Sequence, residues 1–388
     1  MDLQQQFDSM LSTEERTLIA RAREFAEKRV AAQARQWERL RQFPLDTLRE
    51  ACAAGLATIE VPREHAGHGF RYSTKMRIAE EIAKHDFAFA FALINHHNAM
   101  ARLAISAQAP VVARLMPRLL TGDLIACTAL TEPEAGSDFS AIRTLARKVD
   151  GGWIVNGDKT WITNAAAASV ATTYAQTDPG KGWKGICCLV IEAERPGFQR
   201  QPALSTQGGY AIGAGGFRLD DYFAPDEALL YAPGDGFKMA LASINGARTY
   251  VAAMCAGMLG SALGHAVRYA NERVAFNQKL IEFQGLRWTL VDAANDLEAL
   301  RLLAYRSARL IDQGADAVEA AAHAKRYAGE RVLGHLGACV QAMGANGLLD
   351  EYPLMRHMTC AKIAAYTDGT TEIMNERLGK ALVDRYRA

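Results

Sequence analysis

Residues 129–138 read Ala129-Leu130-Thr131-Glu132-Pro133-Glu134-Ala135-Gly136-Ser137-Asp138. A threonine hydroxyl, a proline that starts a turn and an Ala-Gly-Ser-Asp end stand close together here. Such a loop can aim hydroxyls and backbone N–H groups at one planar polar ligand. Downstream, residues 157–164 read GDKTWITN. On a regular strand, Trp161 and Thr163 share one face, an aromatic surface beside a hydroxyl donor. Taken singly, these segments read as a turn and an ordinary strand.

Outward from this pair the chain divides into three textures. Up to residue 124 the pattern is helical. Ser12 and Glu15 fit a capping box, and Leu18, Ile19, Ala22 and Phe25 recur at helical spacing. Pro44 begins a further helix with Gly55 at its far end, residues 66–70 (AGHGF) form a loop, and helical patterning runs over 73–106 and again after Pro110. From 125 to 235, Gly, Pro, Asp and Asn clusters separate short β-rich runs at 153–155, 170–174 and 186–191. That spacing predicts a β-barrel or sandwich. From 236 to 388, long Ala/Leu-rich helical patterns return. The expected domains are therefore 1–124 helical, 125–235 β, and 236–388 a helical bundle.

Composition excludes classes rather than choosing one. The 388 residues carry 44 Lys plus Arg against 43 Asp plus Glu, a net charge of +1. This balance speaks against nucleic-acid binding driven by bulk charge. The seven cysteines are odd in number and lack C-x-x-C spacing, which suits a reducing, cytoplasmic setting and neither a disulfide framework nor a zinc site. No metal is expected. Residues 249–267 are uncharged and Ala/Gly-rich, which reads as a packed core helix and not a membrane insertion. Residues 208–216 (GGYAIGAGG) precede a strand-like Phe217-Arg218-Leu219, the wrong context for a dinucleotide fingerprint. His96 and His97 are adjacent; on a helix they point about 100° apart, so one inward and one outward ring is expected.

Together the segments resemble the acyl-CoA dehydrogenase family. Residues 129–138 match its first signature, and Trp161-Ile162-Thr163 follows at the family's usual distance. Arg248 stands where the family has an arginine facing the substrate. Residues 272–284 (ERVAFNQKLIEFQ) resemble E-R-x-x-F-G-x-x-[IL]-x-x-F-Q, residues 341–347 (QAMGANG) the glycine stretch of the second signature, and residues 367–373 (TDGTTEI) the Y-E-G-T-x-x-I catalytic segment. The resemblance implies an α+β fold: an N-terminal helical domain, a middle β domain and a C-terminal four-helix bundle. It implies FAD without a Rossmann domain, an acyl-CoA substrate, an electron-transfer flavoprotein as partner, and a homotetramer or homodimer.

The resemblance also assigns roles. Leu130, Thr131, Gly136, Trp161, Ile162 and Thr163 are expected at the flavin ring. Arg273, Phe276, Gln284, Gln341 and Gly344 are expected at the pyrophosphate and adenosine, reached from a neighbouring subunit. Thr370 and Glu372 follow the base and contact FAD. Ser137, Arg248, Gly369 and His97 face the substrate, His97 because His97-Asn98 resembles a stretch near the acyl pocket of bacterial members. Asp368 aligns with the catalytic base, usually Glu. Aspartate is one methylene shorter, a reach of roughly 1 Å, and a misplacement of that size can cost about 10²-fold. A bulky or cyclic acyl group, a relative of the reaction acting on a nitroalkane, or a base elsewhere would each explain the departure; the same fold acting on a carrier-protein-bound thioester or a nitroalkane is the alternative function. A non-catalytic flavin- or CoA-binding paralogue is the reading from another class.

Overall fold

The computed structural model describes residues 2–387. Seven helices come first: α1 (Leu3–Asp8), α2 (Thr13–Phe25), α3 (Ala31–Leu40), α4 (Leu45–Ala53), α5 (Tyr72–Ala83), α6 (Phe87–Ser106) and α7 (Ala109–Leu120). The Ser12 capping box forms as read: its Oγ accepts from the Glu15 N–H at 3.2 Å while its own N–H donates to the Glu15 carboxylate at 2.7 Å. The predicted run over 73–106 is two helices. Asp86 ends the first and caps the second, accepting from the Phe89 N–H at 2.8 Å. Helix α6 is apolar nearly all round and buried, the pattern of a helix covered on every side. His96 and His97 both point inward, against the expected split. Ring nitrogens of His96 meet the Leu119 carbonyl and the Ala126 N–H, and those of His97 meet the Ala57 carbonyl and Glu60. Hydrogen bonds to fixed backbone groups outweigh the geometric argument.

The middle layer is one eight-stranded sheet. Its strands are β1 (Ala126–Ala129), β2 (Leu145–Val149), β3 (Gly152–Ile162), β4 (Val170–Gln176), β5 (Ile186–Glu192), β6 (Phe198–Arg200), β7 (Gly215–Pro225) and β8 (Leu229–Tyr231). The order is β6-β7-β3-β2-β4-β5-β8, with β1 beside β4. Neighbours are antiparallel except where β4 meets β1 and β2. The pairing of β3 with β7 slips between Lys159 and Ile162, where Trp161 takes φ +56°. This irregularity breaks strict alternation, so the rule that put Trp161 and Thr163 on one face does not apply. Trp161 stands out with 61% of its surface exposed.

The C-terminal layer comprises α8 (Asp235–Glu272), the short hairpin β9 (Val274–Ala275) and β10 (Gln278–Lys279), α9 (Gln284–Asp312), α10 (Val318–Met343), α11 (Leu354–Tyr366) and α12 (Thr371–Arg385). Helices α8 to α11 make the bundle, with α12 along α10. Helix α8 is long and apolar enough to cross a membrane, yet its centre is buried within the fold. Its small residues serve contact: a Cβ at Gly257 would lie 2.4 Å from the Glu80 carbonyl oxygen on α5.

Candidate active site

The 129–138 loop is anchored from inside. Glu132 accepts from Lys159 Nζ at 2.7 Å and from the backbone N–H groups of Arg143 and Thr144. The same Lys159 Nζ donates to the Leu130 carbonyl at 3.1 Å, and the Thr160 N–H donates to the Thr131 carbonyl. Burial raises the Glu132 pKa, but Lys159 and the amide donors more than offset it, and the carboxyl stays below its ordinary value. A buried pair this well saturated fixes the two signature segments against each other. Sequence reasoning quoted both residues inside their motifs without pairing them.

Leu130, Thr131 and Thr163 remain partly exposed, Ile162 is buried, and Gly136 and Ser137 are exposed. Among the described residues, the hydroxyls of Thr131 and Thr163 have no hydrogen-bond partner within the chain. A Cβ on Gly136 would meet nothing within 4 Å, so the chain's own packing does not demand a glycine there.

The second part of the site is the turn between α11 and α12. Asp368 takes φ +53° and Gly369 φ +101°. A Cβ on Gly369 would sit 2.9 Å from Met374 Cε and 3.3 Å from Arg248 Nη2, so glycine is required on both counts. Two buried cations hold the turn by its carbonyls. Arg248 Nε donates to the Asp368 carbonyl at 3.0 Å, and Lys325 Nζ donates to the Gly369 carbonyl at 3.3 Å. Arg248 therefore supports the Asp368 turn. Its remaining bond is to Asn245 Oδ1, and burial with Arg377 nearby brings its pKa down to about 10. Lys325 was not singled out from sequence; a lone lysine in the Ala-rich run EAAAHAK was its signal.

The Asp368 side chain is left unpaired: Oδ2 is buried and has no hydrogen-bond partner. Burial pushes its pKa up to about 6, with Lys325 and Arg248 holding it back. Among the described residues, the backbone N–H groups of Asp368 and Gly369 also lack acceptors. Thr370 caps α12, accepting from the Ile373 N–H, and Glu372 is exposed in its first turn. His97, with both ring nitrogens engaged, belongs to a cluster of Glu60, Lys75 and Asn98. Asn98 in turn donates to the Tyr250 hydroxyl at 3.2 Å.

Arg273, Phe276, Gln284, Gln341 and Gly344 lie together in neither part. All are exposed, Phe276 by 90%, around the C-terminal end of α8. There the Tyr269 carbonyl accepts from the Arg273 N–H and the Tyr269 hydroxyl from Asn346.

The chain matches the acyl-CoA dehydrogenase N-terminal domain over residues 12–123, the middle domain over 127–222 and the C-terminal domain over 234–383. It belongs to the acyl-CoA dehydrogenase family. An acyl-CoA dehydrogenase of Bacillus subtilis (strain 168) is 32% identical over 373 residues, covering 96% of this chain and 98% of the relative. The butyryl-CoA dehydrogenase of Megasphaera elsdenii superposes with a TM-score of 0.92 at 29% identity, covering 96% and 99%. The FAD complex of PigA superposes with a TM-score of 0.91 at 26% identity, covering 97% and 99%. FAD is the family's cofactor, and this chain's groups suit it. Two unengaged hydroxyls and an exposed indole on the β layer match a flavin edge, and an exposed arginine and phenylalanine match a pyrophosphate and adenine.

Proposed function

We propose that this protein is an FAD-dependent acyl-CoA dehydrogenase in which Asp368 removes the α-proton of the thioester. The observation that carries this reading is the Asp368 carboxylate itself, whose Oδ2 is buried and unpartnered and whose pKa burial pushes up to about 6. A general base works best with a pKa near the operating pH. An α-C–H beside a thioester is a weak acid, so the developing enolate oxygen needs fixed donors. The acceptor-free N–H of Asp368 supplies one from the same turn as the base. Arg248 and Lys325 hold that turn by its carbonyls, so the shorter aspartate is aimed by its backbone. FAD, when bound, supplies the acceptor for the β-hydride. Thr131 and Thr163 would hydrogen-bond its ring, Trp161 would pack on it, and Leu130, Ile162 and Gly136 would shape its bed. Ser137 and Gly369 face the thioester side, while His97 supports the acyl end through Glu60 and Asn98.

We place Arg273, Phe276, Gln284, Gln341 and Gly344 at the cofactor's pyrophosphate and adenosine in a neighbouring copy, within a homotetramer or homodimer. Their exposure on one subunit supports this. An electron-transfer flavoprotein would take the electrons onward. We keep the domain limits at 124/125 and 235/236. A cytoplasmic setting suits seven free, buried cysteines, six of whose thiols are pushed up to about 12 by burial.

The test is anaerobic flavin reduction by a panel of acyl-CoAs, carrier-bound thioesters and nitroalkanes. Bleaching by an acyl-CoA, lost in Asp368→Ala with the flavin retained, is expected. Failure of every acyl-CoA to bleach the flavin would overturn the reading.

A further inference from the structure

Several cations lie wholly or partly inside the fold, and most are held by named partners. Arg77 donates to Asp8, Glu80 and Glu81. Lys159 is paired with Glu132. Arg248 and Lys325 hold the Asp368 turn. Arg102, on α6, has no carboxylate partner among the described residues. Its Nη1 donates to Thr128 Oγ1 at 2.9 Å and Thr172 Oγ1 at 3.0 Å, and its Nη2 to Ser243 Oγ at 2.6 Å. The titratable groups that face it are Tyr174, Cys188, Tyr231 and Tyr250, with no carboxylate among them. A guanidinium has five N–H donors, so these bonds leave part of the fork unused. Beside it, the buried Tyr174 hydroxyl meets no nitrogen or oxygen partner among the described residues, only the Cys188 thiol.

Burial strips part of the hydration from this guanidinium, and three hydroxyls return only some of it as hydrogen bonds. Three hydroxyls orient this guanidinium without neutralising it. The unused donors of the fork can serve an anionic ligand, and Arg102 keeps partial solvent access by which one can reach it. The surroundings say which part of a ligand. Thr128 lies two positions before Leu130, and Ser243 five before Arg248. Tyr250, the next residue but one on α8, interacts electrostatically with both Asp368 and Arg102. The Tyr250 hydroxyl accepts from Asn98, four residues before Arg102 on α6.

We propose that Arg102 recognises a second carboxylate on the acyl group, so that the substrate is the CoA thioester of a dicarboxylic acid. The planar fork suits a carboxylate, with the Tyr174 hydroxyl as a further donor. This rests on the dehydrogenase reading above and names its substrate class. CoA phosphates offer the same anionic chemistry, and they are common to every CoA thioester, which separates the two sources.

The experiment uses the holoenzyme with a short ω-carboxyacyl-CoA, its methyl ester, and the straight-chain acyl-CoA of equal length. Anaerobic flavin reduction gives kcat/KM, and calorimetry gives binding. The free carboxylate should be preferred over its ester by roughly 10²-fold. Arg102→Gln should abolish that preference through a raised KM for the carboxylate substrate, while the straight-chain compound changes by less than about threefold. Arg102→Lys should restore part of it. Equal use of acid and ester by the native enzyme would overturn the proposal. So would an equal loss for all three thioesters in Arg102→Gln, the mark of a CoA-phosphate contact or a general defect. If no thioester bleaches the flavin, the dehydrogenase reading fails by itself. Calorimetry then decides this one: Arg102-dependent binding of the carboxyacyl-CoA over its ester supports the recognition site, and its absence overturns it.

Discussion

Glu132 and Asp368 both stand on turns within signature motifs, the first buried and the second with one oxygen buried, and they are handled in opposite ways. Glu132 receives a lysine and two amide donors, and its pKa stays low. Asp368 receives cations only at its backbone, its buried oxygen meets no donor, and burial pushes its pKa up to about 6. A saturated carboxylate ties segments together; an unsatisfied one is held ready for a proton. Arg77 and Arg102 repeat the contrast with the sign reversed.

The largest effect should come from breaking the reactive member of the first pair. Asp368→Ala should slow α-proton removal by about 10²–10⁴-fold while the protein stays yellow, measured by single-turnover flavin reduction. Glu132→Gln should instead cost stability, on the order of 3–5 kcal/mol, because Lys159 is left buried without its partner. Denaturant unfolding checks this. Arg77→Met should cost about as much by the same reasoning, and Arg102→Met close to nothing or a small gain.

The next effect is smaller and depends on pH. Asp368 has a raised folded-state pKa, so between about 4 and 6 the folded protein holds a proton that the unfolded chain has lost. Its contribution to stability therefore falls as pH rises through that window. Asp368→Asn should be more stable than the native protein at pH 7, by up to about 3 kcal/mol, and should lose that advantage below pH 4. Thermal unfolding at both pH values measures it. The smallest effect should be on titration. Lys325 holds the Asp368 pKa down, so Lys325→Met should move the midpoint of the pH–rate profile upward.

The order helical, β, helical was legible in texture alone, and the motifs from 129 to 373 pointed to one site family. What resisted reading were contacts between distant positions. Lys325 meets the base turn across 44 residues and Arg248 across 120. Arg248 was legible as a motif position and Lys325 only as a lone lysine in an Ala-rich run, and neither signal names the turn that it holds. Arg102 was invisible for a related reason: its meaning lies in the carboxylate that is missing from its surroundings, and a sequence does not say which charges end up unpaired. His96 misled because helical geometry alone ignores the carbonyls waiting inside. The bulge at Trp161 broke an alternation that a straight strand would have kept. Arg273 and Phe276 were legible as motif members, yet their place in a site depends on a second copy of the chain.

The most direct measurement is the pH dependence of α-proton exchange with deuterated water, for a bound acyl-CoA, in the native protein and in Asp368→Asn. The account predicts exchange that rises through pH about 6 in the native protein and is absent from the variant at every pH. Exchange that persists in the variant with the same midpoint would place the base on another residue and contradict the account.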